Sequence, residues 1–294
     1  MDLLSLRLFL RIAELGSVSA AGSDLSLSPA SASARLVKLE NEIGFRLFNR
    51  TTRAVSLTTD GEEFLPFAEQ SLETLQAGLD SISGRIESVH GRLRMTMPGS
   101  FGRMHVIPLL AEFERRYPQV ELDIRLSDEV LDVVEGAYDL IIRNAKLADS
   151  GLVARKLAPD HRLLVASPEY IARHGAPSEP EALRGHRCVV FSGGHRVTFA
   201  NGQSVPLPRS IEVNDGEAMR ILMEQGMGIG LKSRWNAGAS LKAGRLVEVL
   251  ADFPVQTNSA IWALYPSGRL VAPKVRAMID FLMETFSPIP PWEQ

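Results

Sequence analysis

The chain has 294 residues, 45% of them hydrophobic and 23% charged, with a formal net charge of −3. This is globular composition, and it excludes collagen-like, low-complexity and largely disordered chains. At roughly 100–200 residues per domain it predicts two domains, each able to bury its own core. No run of about 18 apolar residues occurs, so no membrane-spanning helix is expected. The apolar start carries Asp2, Arg7 and Arg11, which interrupt the run that a secretory signal needs. A single cysteine, Cys188, can form neither an internal disulfide nor a cysteine-rich zinc site. A cytoplasmic protein without a cofactor is the expectation. The charge is unevenly spread: seven basic residues face five acidic ones over 1–58, and one faces seven over 60–90. A faintly basic head is thus followed by an acidic neck and a neutral body.

In the head, Leu3, Leu6, Phe9, Leu10 and Ala13 recur at helical spacing and predict a helix ending near Gly16. Ser17 is placed to cap a second helix, from Val18 to about Leu25. Ser28-Pro29, a cap followed by proline, predicts a third helix from Pro29 to Ile43, closed by Gly44. Ala32, Leu36, Leu39 and Ile43 share one stripe of it, while Ser28, Ser31, Arg35 and Lys38 share another, turned away from the core. Small and basic side chains on one outer face suit a major groove, although on this helix alone a plain surface helix with two cations is the better reading. Next, Val55 and Leu57 alternate with polar residues as in a short strand, and Arg50 and Arg53 flank a threonine turn that begins at Thr51. Such a hairpin either is structural only or reaches the sugar-phosphate backbone.

The stretch SLSPASASARLVKLENEIGFRLFNRTTRAVSLTTDG resembles the winged helix-turn-helix of LysR-type transcriptional regulators. The matching pieces are the SPA opening, Ser33, Leu39-Glu40, the run Leu47 to Arg50, and Leu57 to Gly61, with Leu6, Phe9, Leu10 and Ser17 to Ala21 upstream. The resemblance implies a DNA-binding face made of Ser28, Pro29, Ala30, Ser31, Ser33, Arg35, Lys38, Arg50, Thr51 and Arg53. The family often has glutamine where Pro29 stands and arginine where Ala34 stands, so base reading here is expected to rest more on the serines and Arg35.

In the neck, Thr59 with Glu62 predicts a capping box. Leu65, Ala68, Leu72, Leu75, Leu79, Ile82, Ile86 and Val89 then step alternately by three and four, which predicts a coiled-coil seam with a kink near Pro66. The competing reading is an amphipathic helix packed on its own chain. The family resemblance places a dimerising linker helix here, with Leu65, Leu72, Leu75, Leu79, Ile82 and Ile86 at the contact.

From Gly91 strands and helices alternate. Strands are expected at Leu93 to Met97, Val120 to Ile124, Tyr138 to Arg143, near Phe191, and at Ile211 to Val213, Ile229 to Leu231 and Ile261 to Tyr265. Helices are expected up to Tyr117, over Val130 to Glu135, and over Glu217 to Gln225. This predicts an α/β body of two sub-domains with a cleft. The runs Gly91 to Tyr117, Tyr138 to Arg143 and Met219 to Leu231 look like the family's effector-binding domain, which has the two-lobed fold of type II periplasmic binding proteins. Ser100 follows a strand and opens a helix, where backbone N–H groups suit an anion, and the family uses that position for its effector. Phe101 either lines the pocket or is core. Asp128, Arg143, Ser192, Asn214 and Asp215 fall at predicted strand ends, where such clefts gather polar groups, and Asp215 equally suits a helix cap. The proline-rich segment 284–294 is expected to fray.

Catalytic signatures are wanting. Gly226, Gly228 and Gly230 come after a helix and before a strand, the reverse of a dinucleotide loop. Gly99-Ser100-Phe101-Gly102 is not a nucleophile elbow. His186 and Cys188 are two candidate metal ligands without a third, and no P-loop occurs. The expected architecture is therefore a winged helix-turn-helix over 1–59, a linker helix over 60–90 and an effector-binding domain over 91–294. Its first lobe would span 91–162 and 265–294, its second 163–264. The expected function is a non-enzymatic regulator that binds double-stranded DNA and a small, anionic effector. It would act as a homodimer through the linker or a homotetramer, with RNA polymerase as a further partner. The rivals are a cytoplasmic ligand-binding protein or enzyme that works through its body, and an architectural DNA binder indifferent to small molecules.

Overall fold

The computed structural model describes residues 2–50, 55–83, 89–128, 138–145, 152–257, 259–266 and 271–294. The chain divides into two units, one centred on Met1–Ser88 and one on Val89–Gly268 with Lys274–Gln294.

In the first unit, α1 (Leu3–Leu15), α2 (Val18–Asp24) and α3 (Pro29–Ile43) have the bounds their caps predict. Asp2, Ser17 and Ser28 cap the three helices by accepting backbone N–H bonds. Gly16 and Gly44 close α1 and α3 in the left-handed conformation. A Cβ on Gly22 would stand 2.8 Å from the Ala32 Cβ, so α2 and α3 cross closely because glycine is there. β1 (Phe48–Arg50) pairs antiparallel with β2 (Val55–Leu57), forming the expected hairpin. The core gathers Leu8, Phe9, Ile12, Ala21, Leu36, Leu39, Leu47 and Phe48. Glu40 is buried at its edge, and its Oε1 accepts the backbone N–H groups of Leu47 (2.9 Å) and Phe48 (3.3 Å). One carboxylate thus ties the end of α3 to the start of the hairpin.

The amphipathic helix α4 (Thr59–Ser83) follows. Its cap is Thr58 rather than Thr59. The Thr58 hydroxyl accepts the Gly61 N–H at 3.0 Å and donates to the Arg46 carbonyl at 2.6 Å, so Thr59 is already helical and the expected box is not formed. The seam is divided in use. Leu65, Ala68 and Leu72 pack on the core of their own head, whereas Leu75 and Leu79 are 38% and 52% exposed. The Ile82 side chain and all of Ile86 lie outside the described residues.

The second unit starts with β3 (Gly91–Met97). A helical stretch over 99–116 begins as α5 (Gly99–Phe101), widens through Gly102–Val106, tightens through Ile107–Leu109, and ends as α6 (Leu110–Arg116). Next come β4 (Val120–Leu126), β5 (Leu140–Ala145), β6 (Leu152–Pro159), β7 (Arg162–Ala166) and α7 (Pro168–His174). β8 (Cys188–Phe191), β9 (Arg196–Thr198), β10 (Ser204–Pro206), β11 (Arg209–Val213) and α8 (Gly216–Glu224) continue the chain. It closes with β12 (Gly230–Ser233), α9 (Arg234–Lys242), β13 (Val247–Val249), β14 (Ala260–Pro266) and α10 (Pro273–Phe286). β5 starts at Leu140 rather than Tyr138 because the Asp139 carboxylate turns aside to accept the Arg94 N–H (2.9 Å) and to pair with Lys274 (3.2 Å). The helix expected over Val130 to Glu135 lies outside the described residues.

Among the described residues, one sheet has the order β4-β3-β5-β14-β6, with β3 parallel to β4 and β5. A second has the order β12-β7-β13, and β8 pairs in parallel with β11 beside it. The Cys188–Ile229 bridge joins β8 to the start of β12. The C-terminal ends of β3, β4, β8 and β11 release 98–100, 127–128, 192–194 and 214–216, which sets where polar groups collect.

The last segment is docked, against expectation. Trp292, 8% exposed, stacks near His105 (4.5 Å between centroids), Phe286 (5.0 Å) and Phe101 (5.6 Å). Glu293 pairs with His161 at 2.9 Å. Proline content alone leaves out the aromatic ring that anchors this segment.

Candidate functional site

Two surfaces carry the candidate residues. In the first unit, Ser28, Pro29, Ala30, Ser31, Ser33 and Lys38 are all exposed, the first four around the start of α3. Ser28 Oγ accepts the Ser31 N–H (3.2 Å) and donates to Ser31 Oγ (2.9 Å), which holds both hydroxyls at the helix start. Arg35 differs from the expectation of a free reading residue. Its Nη1 donates to both carboxylate oxygens of Asp2, at 2.7 and 2.8 Å, and to Ser5 Oγ at 3.3 Å. The Ser5 backbone N–H, with Arg35, holds the Asp2 carboxyl below its ordinary range. Arg35 therefore ties α3 to the start of α1. Of Arg50 only the strand backbone is described, and Thr51 and Arg53 lie outside the described residues.

In the second unit, a cleft of about 630 Å³ opens at the strand ends. Four of the expected residues line it: Ser100, Asp128, Arg143 and Ser192. Ser100 is buried in the first helical turn after Pro98, and Asp128 Oδ1 accepts the Gly99 N–H at 3.2 Å. Arg143 donates to the Ser127 carbonyl at 3.2 Å, and burial lowers its pKa against the pull of Asp128. Two open alternatives are decided and one expectation is corrected. Phe101 is fully buried and meets Trp235 edge-on at 5.2 Å, so it is core. Asp215 caps α8, accepting the Ala218 N–H at 2.6 Å. Asn214, exposed beside it, is not among the cleft-lining residues.

The cleft also holds charged groups that the sequence did not single out. Lys232, on β12, is 6% exposed and donates from Nζ to the Gly216 carbonyl at 2.7 Å. Burial, with Arg162 nearby, pushes its ammonium down to about 7. Arg162 is lowered by burial too, with Asp160 opposing. Asp160 Oδ2 accepts from Ser259 Oγ at 2.7 Å. Asn144 Oδ1, Asp160 Oδ1, Arg162 Nε and Trp235 Nε1 are buried atoms of lining residues with no partner among the described residues. Buried polar atoms are ordinarily paired, so such a cluster marks a place that water or a ligand completes. The only sequence signal was a lone charge inside an apolar strand, as in Gly230-Leu231-Lys232-Ser233.

Other chemistry is poorly supplied. Among the described residues no group of three His, Cys, Asp or Glu side chains is placed to hold a metal ion. Cys188 is buried and its thiol is pushed up to about 12, which suits a small core residue. No described helix is long and apolar enough to cross a membrane.

A three-helix head with a hairpin wing, and an α/β unit with a polar cleft, define a DNA-binding regulator that receives a small molecule. Residues 3–62 match the family model described as bacterial regulatory helix-turn-helix protein, lysR family, and residues 87–287 match that of the LysR substrate binding domain. The chain belongs to the LysR family of transcriptional regulators. It is 34% identical over 289 residues to the HTH-type transcriptional regulator DmlR of Escherichia coli K12, covering 96% of this chain and 94% of that one. The regulator CrgA of Neisseria meningitidis is 31% identical over 284 residues, covering 95% of each chain. The solved structure of CrgA superimposes with a TM-score of 0.61 at 30% identity, over 95% of this chain and 97% of that one. The full-length virulence activator AphB of Vibrio cholerae gives 0.60 at 28% identity, over 97% and 99%.

Proposed function

We propose that the exposed side of α3 enters the major groove, with Ser28, Pro29, Ala30, Ser31, Ser33 and Lys38 at the duplex and Arg50, Thr51 and Arg53 along the phosphates. Arg35 acts indirectly, by fixing α3 against α1. Two chains pair through the outer part of α4, where Leu75 and Leu79 are exposed, and the sequence repeat carries on to Ile82 and Ile86. Pairs of dimers make a tetramer, and RNA polymerase is the partner through which DNA binding is read. The chain works in the cytoplasm, by binding rather than catalysis. The domain limits follow the sequence reading: a head over 1–59, a linker over 60–90 and an effector domain over 91–294. The effector is a small anion held in the cleft by Ser100, Arg143, Ser192 and Lys232. It switches the regulator only by binding one arrangement of the dimer better than another.

The observation that carries this reading is the cleft: buried cations and unpartnered polar atoms gathered at strand ends. A DNA-only protein has no use for it. The test is fluorescence anisotropy of the full chain on the DNA upstream of its own gene, against a scrambled duplex, over a salt series. Sequence-dependent binding is expected, with Arg50→Ala, Arg53→Ala and Lys38→Ala each weakening it on any sequence and lowering the salt slope by about 1. Equal binding to both duplexes, or no effect of the arginine variants, refutes the assignment of the face. A thermal shift caused by a small anion and abolished by Ser100→Trp is expected for the cleft.

A further inference from the structure

Lys232 needs a reason to be where it is. A buried ammonium is costly unless it is paired, yet the bond that Lys232 makes is to a neutral carbonyl, that of Gly216. The charged groups around it come from every side: Arg162 on β7, Glu217 and Arg220 on α8, and Asp128 after β4. Glu217 is already paired with Arg220. Asp128 is engaged with the Gly99 N–H. Asp160, the other acid of the cleft, takes the Ser259 hydroxyl. Among the described residues none of these acids pairs directly with the ammonium, and Arg162, itself opposed by Asp160, stands near it as a second cation.

Gly216 brings a second donor up to it. A Cβ on Gly216 would stand 2.9 Å from Ser100 Oγ and 3.7 Å from Lys232 Nζ, so only glycine lets the hydroxyl close on the backbone beside the ammonium. A hydroxyl and an amine thus line the cleft together at the first turn of α8, a nine-residue helix. A carboxylate in the cleft suits that pair: it accepts from the hydroxyl and the ammonium, and its charge offsets Arg162 and Lys232 together.

Resting on the cleft as the effector site, we infer that its ligand is a compact organic carboxylate taken up together with one proton, which Lys232 Nζ receives from solvent. No bond within the ligand forms or breaks. With Lys232 neutral, Arg143 and Arg162 are balanced by Asp128 and Asp160, and the cleft has no net charge to offer an anion. With Lys232 protonated it carries one positive charge in excess. The near-neutral titration of Lys232 puts this change within ordinary solution conditions. Affinity is then flat at mildly acidic pH and falls about tenfold for each pH unit above the lysine's midpoint.

The test is nuclear magnetic resonance of the full chain with 13Cε-labelled lysine, titrated in pH alone and with acetate, succinate or inorganic phosphate. One signal, missing from Lys232→Met, should titrate near neutrality, and acetate or succinate should raise its midpoint by about one unit or more while phosphate does so less. Gly216→Ala should leave that signal titrating and weaken its response to carboxylates, because the added methyl would stand 2.9 Å from Ser100 Oγ and displace that hydroxyl. Carboxylate affinity in Lys232→Met should be weaker and independent of pH. A Lys232 signal that stays charged through neutrality, or that titrates unmoved by a carboxylate binding in the cleft, overturns the proposal and leaves the cleft's assignment standing. If none of the three anions perturbs any cleft signal or the melting temperature, the assignment of the cleft falls, and the proposal with it.

Discussion

Replacing Glu40 with alanine removes both acceptors that hold the start of the hairpin to α3. The Leu47 and Phe48 N–H groups are buried, and a hydrogen bond to a charged acceptor contributes about 1.5–3 kcal/mol. The groove lined by Val37, Asn41, Gly44, Phe45 and Arg46 reaches the same place, so water can enter and the lower figure applies to each bond. The expected loss is about 3 kcal/mol of head stability, which is roughly 100-fold faster amide exchange in α1 and α3. Glu40→Gln keeps one carbonyl acceptor without the charge and should lose only about 1 kcal/mol. Hydrogen-exchange mass spectrometry on the full chain reads both, with the second unit as an internal reference that neither variant should alter. Exchange in α1 and α3 within about threefold of the parent in Glu40→Ala would refute the reasoning, since it would mean the carboxylate does not hold the hairpin.

Acidification should loosen the second unit through His105. Burial holds its ring below the ordinary 6.5, and its Nε2 lies 2.9 Å from the Trp235 carbonyl as a neutral donor. The unfolded chain takes up a proton first as pH falls through that range, so stability present at neutral pH is lost below 6.5. The urea midpoint of the second unit should therefore drop on acidification in the parent and less in His105→Gln; an equal drop in both would assign the effect to another group. Trp292→Ala should cost the second unit about 3 kcal/mol by opening a cavity against Phe101, His105 and Phe286, read by urea unfolding followed by circular dichroism. A change under about 0.5 kcal/mol would mean the segment after α10 does not bear on the core.

The head was legible because its elements are punctuated by chemistry that acts locally. Asp2, Ser17 and Ser28 start helices, Gly16 and Gly44 stop them, and each signal needs only its neighbours to work. Thr58 and Thr59 were not told apart, since both are hydroxyls and only the position of the Arg46 carbonyl decides between them. Arg35 was read as outward because the helical wheel contains α3 alone; Asp2 reaches it from 33 residues away. The stripe from Leu65 to Leu79 has one period but two environments, and the change falls where α4 leaves the head core. In the cleft, Ser100, Asp128 and Ser192 follow from strand ends, a topological rule that sequence periodicity reveals, whereas Arg143 enters from within β5. Lys232, Arg162 and Asp160 come together only through pairing between distant strands, and a charged residue within an apolar run carries no sign of what it faces. Phe101 was ambiguous for the same reason: neighbouring positions in one helical turn, Ser100 and Phe101, face the cleft and Trp235 respectively.

The placement of the tryptophans gives the protein an optical signal of its own. Of the three indoles in the chain, Trp235 lines the cleft, and Trp292 contacts Phe101 and His105, both of which also touch Trp235. Trp262 stands in β14, with its Nε1 donating to the Ala145 carbonyl at 3.1 Å. Emission from the first two should respond together when something enters the cleft, while the third provides a steady background. A Trp262→Phe chain would then report occupancy without any label, which suits screening of candidate effectors.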